Sequence, residues 1–247
     1  MSDIPRRESN NLLNPDDYLR RLLDPAEDFI SLDELERATP IKESLGRLDK
    51  PLAEVKYNDE GEVRINNDNI NFRFVYSRVD EDKRDGIEEY LSKIPHKKQQ
   101  NDIGNWRNLD QMFFNIDGAD VNLLDVLPNG YKVLFCPEPG TIHGATDEKD
   151  KVIKVLGDIV TPRAIIIMLH EIGHTIDLAN ENRLKFDLSK KNYDVAEMIR
   201  RERTATAFAF KALKPFLKDQ QFKNDVVNYL KNAALDSYYG KANELIT

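Results

Sequence analysis

The chain has 247 residues, 40% of them hydrophobic, with 36 Lys and Arg against 44 Asp and Glu and a net charge of -8. That composition lies in the globular range, and interspersed charges with an acidic excess argue against a nucleic-acid or other phosphate-binding surface. A single cysteine, Cys136, excludes an internal disulfide and a thiolate zinc site and suits a reducing compartment, while the apolar stretch Ile165 to Leu169 falls far short of the roughly 20 residues of a membrane span.

Residues 1–50 read as a polar N-terminal arm, extended or loosely packed, punctuated by Pro15, Pro25 and Pro40. Asn14-Pro15 before DDYLRRLL and the capping pair Ser31 and Glu34 predict short helices within it. Its opening, MSDIPRRESNNLLNPDD, has basic residues but no apolar segment behind them, so the expectation is a cytoplasmic protein without a signal peptide. Secretion by a signal-independent route is compatible with the same reading. Residues 51–129 change to a small α+β texture: LAEVKY and EVRIN flank a turn at NDEG, INFRFVYSRV follows, and together they predict an antiparallel meander. A helix is expected around Gly86 to Ile94, then the polar linker PHKKQQND, where His96, Lys97 and Lys98 lack aromatic partners and read as solvated.

After the Asn129-Gly130 turn signal a compact domain, 130–247, is expected. YKVLFC reads as a strand carrying Cys136 as plain core, PEPG as a turn and KVIKVLG as a second strand. Thr161 and Pro162 supply a cap and a first-turn proline for the helix RAIIIMLHEIGHTIDLANENR. Further helices are expected over about Asp194 to Lys214, stopped by Pro215, and Lys218 to Ala234.

The chemistry lies in HEIGH. His170 and His174, four residues apart on a helix, project about 40° apart and can reach one ion. Glu171 is turned about 100° from His170, so it can reach a water on that ion without ligating it, as metal-assisted peptide hydrolysis requires. Catalytic zinc takes three protein ligands and leaves a position open. On the next helix Val195, Met198, Ile199, Glu202, Ala205, Thr206 and Ala209 share one stripe, making Glu202 a lone carboxylate on an apolar face that needs a cation. Glu197, beside Asp194, Arg201 and Thr204, is the competing third ligand, and pairing of Glu202 with an arginine is the bland alternative. Gly173, Ala205 and Ala209 would let the two helices approach closely.

HEIGH followed by ERTATAFAFKALKP resembles the ImmA/IrrE-type zinc metallopeptidases, whose second helix tends to read E-x-x-A-x-x-F-A, here Glu202, Ala205, Phe208 and Ala209, with Leu213 and Pro215 beyond. The resemblance covers about residues 130–216. It implies a minimal zincin-like α+β domain with a small antiparallel sheet and Glu202 as third ligand to one Zn2+ per chain, as in the wider gluzincins; the N-terminal α/β extension read from the texture of residues 1–129 lies outside it. It also implies an edge strand, 152–156, that would receive an extended peptide by strand addition. Where that family often has Asn or Asp four residues after the glutamate, this chain has Thr206, which can make one hydrogen bond but supplies no carboxylate.

Asp177, three residues after His174, is another group that could orient a ligand. His143, in TIHGATD, and Tyr193 are candidate oxyanion donors. The expected function is therefore a zinc metallopeptidase acting on a protein or peptide, with no nucleic-acid or membrane partner and no oligomeric state specified. Two alternatives share the motif: a zinc-binding regulatory or scaffold protein with little hydrolysis, and a peptidase-type toxin or effector specific for one protein. The intact Glu171 counts against the first, and the ligand set itself also admits iron.

Overall fold

The computed structural model describes residues 15–23, 41–67, 70–79, 84–92, 103–116, 118–138, 142–179 and 195–235. It has a mixed α+β fold built on one sheet of seven strands: β1 Gly61–Asn66, β2 Asn71–Arg78, β3 Arg107–Ile116, β4 Ala119–Asn122, β5 Lys132–Cys136, β6 His143–Asp147 and β7 Val152–Leu156. The described helices are α1 Pro15–Leu23, α2 Ile41–Leu48, α3 Arg84–Ser92, α4 Pro162–Ala179, α5 Val195–Leu213 and α6 Gln220–Tyr229. None of them is long and apolar enough to cross a membrane.

Strand order is β1-β2-β3-β5-β7-β6, with β4 paired to β3 off that path. Every pairing is antiparallel except β5 with β7. Alternation of side chains along the strands gives the sheet two apolar faces. Ile153 and Val155 of β7 and Val133 and Phe135 of β5 point to the main core, shared with α1, α2, α4, α5 and α6. Val152, Leu156, Leu134 and Cys136 point the other way, onto Ile87 and Tyr90 of α3 and onto Trp106. Within the main core Phe72 stacks on Phe114 at 4.3 Å between centroids, and Phe216, from the turn after α5, meets both rings edge-on at 5.1 and 5.2 Å.

Several sequence expectations need correction. LAEVKY is not a strand: it is irregular, and it ties down the loop before α4 through Leu52 N to Val160 O at 2.9 Å and Tyr57 Oη to Asp158 at 2.5 Å. The ten-residue β3 was not anticipated. Its alternation breaks at Asp110 and Gln111, both exposed, where the register against β2 shifts between Val75 and Tyr76, and a bulge of this kind hides the period of two. The expected hairpin of YKVLFC with KVIKVLG is instead a parallel pair, because β6 intervenes in sequence and takes the outer position.

The N-terminal segment is not a loose arm where it is described. Tyr18 and Leu22 of α1 and Leu48 of α2 are buried in the main core, Tyr18 donates to the carbonyl of Ala212 at 2.8 Å, and Arg47 of α2 forks the buried Asp225 of α6 at 2.6 Å on both arms. The supposed helix start at Ser31 and Glu34 and the linker with His96 lie outside the described residues. Strand pairing also crosses the expected boundary near residue 130, since β3 pairs with β5 through Arg107, Asn108 and Leu109. Truncating Phe114, a fully buried member of this aromatic trio, to alanine should cost about 3–5 kcal/mol of unfolding free energy, read as a lowered midpoint in urea denaturation.

Candidate metal centre

Helix α4 starts where its sequence says it should. Thr161 Oγ1 accepts from Ala164 N at 3.3 Å, capping the first turn, while its hydroxyl donates to the carbonyl of Asp158 at 2.8 Å. From there Ile165, Ile166, Met168, Leu169 and Ile172 bury one side of the helix in the core, leaving His170 and His174 half-buried at its margin. Helix α5 crosses antiparallel to α4, so that Thr206 lies opposite His170, Ala205 opposite Gly173 and Arg200 opposite Asp177. The crossing is close. A Cβ placed on Gly173 would lie 2.7 Å from Ala205 Cα and 2.9 Å from its carbonyl oxygen, which is backbone that cannot swing aside.

This contact brings three donor atoms together. His170 Nε2 lies 3.1 Å from Glu202 Oε2 and 3.1 Å from His174 Nε2, and His174 Nε2 lies 3.5 Å from Glu202 Oε1. A tetrahedral ion with bonds of about 2.0–2.2 Å holds its ligands about 3.3–3.5 Å apart, so these spacings suit one small cation. Two imidazole nitrogens facing each other across such a gap, beside a carboxylate, also form a donor set that a proton or a cation must hold together. Burial by itself would push the Glu202 carboxyl up, but hydrogen bonds from His170 and His174 outweigh it and hold the group at about 2. His170, His174 and Glu202 are the one group of three or more potential ligands that converges among the described residues.

Behind the ligands, Thr206 Oγ1 stands 3.5 Å from His170 Nδ1, at the long limit of a hydrogen bond. The buried Nδ1 of His174 has no partner among the described residues. Glu171 stays out of the cluster and turns to the edge strand β6, where Thr146 Oγ1 donates to its Oε2 at 2.8 Å and approaches its carbonyl oxygen at 3.2 Å. Gly144, two residues earlier on β6, lets the strand pass tight over α4: a Cβ there would lie 2.5 Å from Ile167 Cγ2 and 2.8 Å from Glu171 Cγ. One oxygen of Glu171 is thus held by Thr146, and the carboxylate is mostly shielded, with 9% of the residue exposed.

The other sequence candidates fall elsewhere. Glu197 is not drawn into the cluster; it pairs with Arg200 one turn along its own helix, Arg200 Nε donating at 2.7 Å. Asp177 is turned to the neighbouring helix, where its fully buried carboxylate is forked by Arg200 at 3.1 and 3.2 Å. His143 lies on the wrong face to serve as an oxyanion donor. On β6 the alternation that points Gly144 and Thr146 at α4 points His143 away, and its Nδ1 meets Tyr90 Oη of α3 at 2.9 Å. Burial pushes the Tyr90 phenol upward, with the charge of Glu171 adding to it. Tyr193 lies outside the described residues. Residues 152–156 are not the edge: β7 is flanked by β5 and β6, and among the described residues β6 ends the sheet on that side.

Thr146, Gly144 and Arg200 were missed in the sequence, where TIHGATD drew attention only for its histidine. The G-x-T spacing within it is the signal that two small residues share one strand face. In comparisons with known proteins, no family model matches the chain, and no curated protein or solved structure matches it at a significant level. Replacing Gly173 with alanine should force α4 and α5 apart, costing about 1–3 kcal/mol of stability and weakening zinc binding. Equilibrium dialysis and thermal melting of the same variant check the two effects together.

Proposed function

We propose that the protein is a zinc-dependent metallopeptidase of the HExxH class, with His170, His174 and Glu202 as ligands to one zinc ion and Glu171 as general base. The observation that carries this reading is the convergence of two imidazole nitrogens and one carboxylate, the nitrogens 3.1 Å apart and lying 3.1 and 3.5 Å from the two oxygens of Glu202, drawn from two helices with a second carboxylate, Glu171, next in sequence to one of the histidines. A purely structural zinc site would close with four protein ligands and would have no use for Glu171. The resemblance of HEIGH and ERTATAFAF to the ImmA/IrrE-type peptidases over about residues 130–216, with the zincin-like arrangement it implies, supports the same reading.

Zinc, when bound, supplies the Lewis acidity that lowers the pKa of a water and polarises a scissile carbonyl. The chain's own groups do the rest. Glu171, whose Oε2 accepts from Thr146, would take a proton from the attacking water and return it to the leaving amine. Strand β6, which has one side unpaired among the described residues and no lysine or proline to blunt it, is the surface on which an extended protein or peptide substrate would add by main-chain hydrogen bonds. The cytoplasm, where the lone Cys136 stays reduced, is the compartment proposed for this activity.

Elemental analysis of purified protein after incubation with zinc, followed by assay on a mixed peptide library, tests the reading. Wild type and Glu171→Gln should each hold one zinc per chain and His174→Ala should lose it, while Glu171→Gln should lower peptide cleavage by about 100-fold or more. Failure of the wild type to retain zinc would remove the reading.

A further inference from the structure

Asp177 and Arg200 form the other tie between the two ligand-bearing helices. Asp177 stands one turn beyond His174 on α4 and is completely buried, and Arg200 stands two residues before Glu202 on α5. Both guanidinium arms reach the carboxylate, NH1 to Oδ1 at 3.1 Å and NH2 to Oδ2 at 3.2 Å. Arg200 is itself fixed from its own helix by Glu197, whose Oε2 accepts from Nε at 2.7 Å. Arg201 adds a longer approach to Asp177, at 3.9 Å, and pairs with Glu148 in the turn after β6 at 3.2 Å. The His174 and Glu202 pair lies between this fork and the Gly173–Ala205 contact, so these two ligands are bracketed along the helix crossing, with His170 beyond the glycine.

The two brackets do different things. Gly173 against Ala205 fixes how near the helices come, but small smooth residues resist sliding or rolling only weakly. A bidentate guanidinium–carboxylate pair is planar and directional, so it fixes register. Register matters here because sliding α5 by one residue displaces Glu202 by about 1.5 Å, well beyond the ~0.5 Å to which such constellations must be held. Stability gives a weaker reason for keeping the pair, since burying a carboxylate costs about as much as its pairing returns.

Resting on the metal site described above, we propose that Asp177 and Arg200 are positioning residues that hold Glu202 in place as the third metal ligand, acting through the register of α5.

The test is zinc affinity, measured on the full chain by competition with a chelator, with cobalt(II) spectra as a report on coordination and apo-protein melting as a report on folding. Asp177→Asn, which keeps the shape and buries no charge, and Arg200→Lys, which keeps the charge but cannot fork, should each weaken zinc binding about tenfold or more and shift the cobalt bands toward those of Glu202→Gln. Should Asp177→Asn fail to fold, Arg200→Lys carries the test, because the buried aspartate keeps a cation beside it. In the Glu202→Gln background the same changes should add less than about twofold, as expected when two residues act through one ligand.

Variants that melt earlier yet bind zinc within about twofold of wild type, with an unaltered cobalt spectrum, would reduce the pair to a structural tie and overturn the inference. A full additional loss in the Glu202→Gln background would also overturn it, by showing that the pair does not act through Glu202. If wild type binds no zinc, the metal site itself fails, an outcome distinct from both of these.

Discussion

The close antiparallel crossing of α4 and α5 is the constraint on which the site depends. Gly173 permits a backbone-to-backbone approach at Ala205 that any Cβ would prevent, and that approach brings a carboxylate from one helix within about a bond's reach of the ion that two histidines of the other would share. His170 and His174 need only the geometry of a single helix to converge. Glu202 needs the tertiary contact. A buried aspartate forked by a partly exposed arginine, one turn from that glycine contact, is therefore well placed to matter to chemistry as much as to folding.

The sheet serves the same helices asymmetrically. On its inner face β5 and β7 supply the apolar bed that buries the long side of α4. At its margin β6 turns small residues inward, so Gly144 and Thr146 can lie against Ile167 and Glu171, while His143 faces the second core with Tyr90 and Trp106. A side chain larger than glycine at 144 would have to displace Glu171, so the strand's composition and the position of the carboxylate are a single requirement. The outer core thus anchors the edge strand from behind while its inward face addresses the motif.

The chain upstream of the motif is part of the same body. Helix α1 reaches α5 through Tyr18 and Ala212, and α2 is clamped to α6 by Arg47 and Asp225 and by the buried Ser44–Asn228 hydrogen bond at 2.8 Å. The irregular segment after α2 secures the loop from which α4 departs, through Leu52 and Tyr57. These ties fix the start of α4 from outside the motif region, and they explain how a chain with polar, proline-punctuated first residues still contributes to one continuous core.

Much of the site was legible in the sequence because helices write their contacts locally. The spacing of His170, Glu171 and His174, the Thr161–Pro162 start and the stripe that singled out Glu202 all follow from 3.6 residues per turn, and the structure places each on its expected helix. What depended on pairing between distant segments was not legible. A bulge concealed β3, a parallel pair passed for a hairpin, and the open edge fell to β6 and not to 152–156, because strand order is set by which segments meet across the sheet. The partner of Asp177 was hidden for the same reason: a carboxylate on a helix looks solvated until another helix brings an arginine to it. Local periodicity alone determined the donor atoms available for a metal, and only the packing of α5 on α4 decided which of them converge.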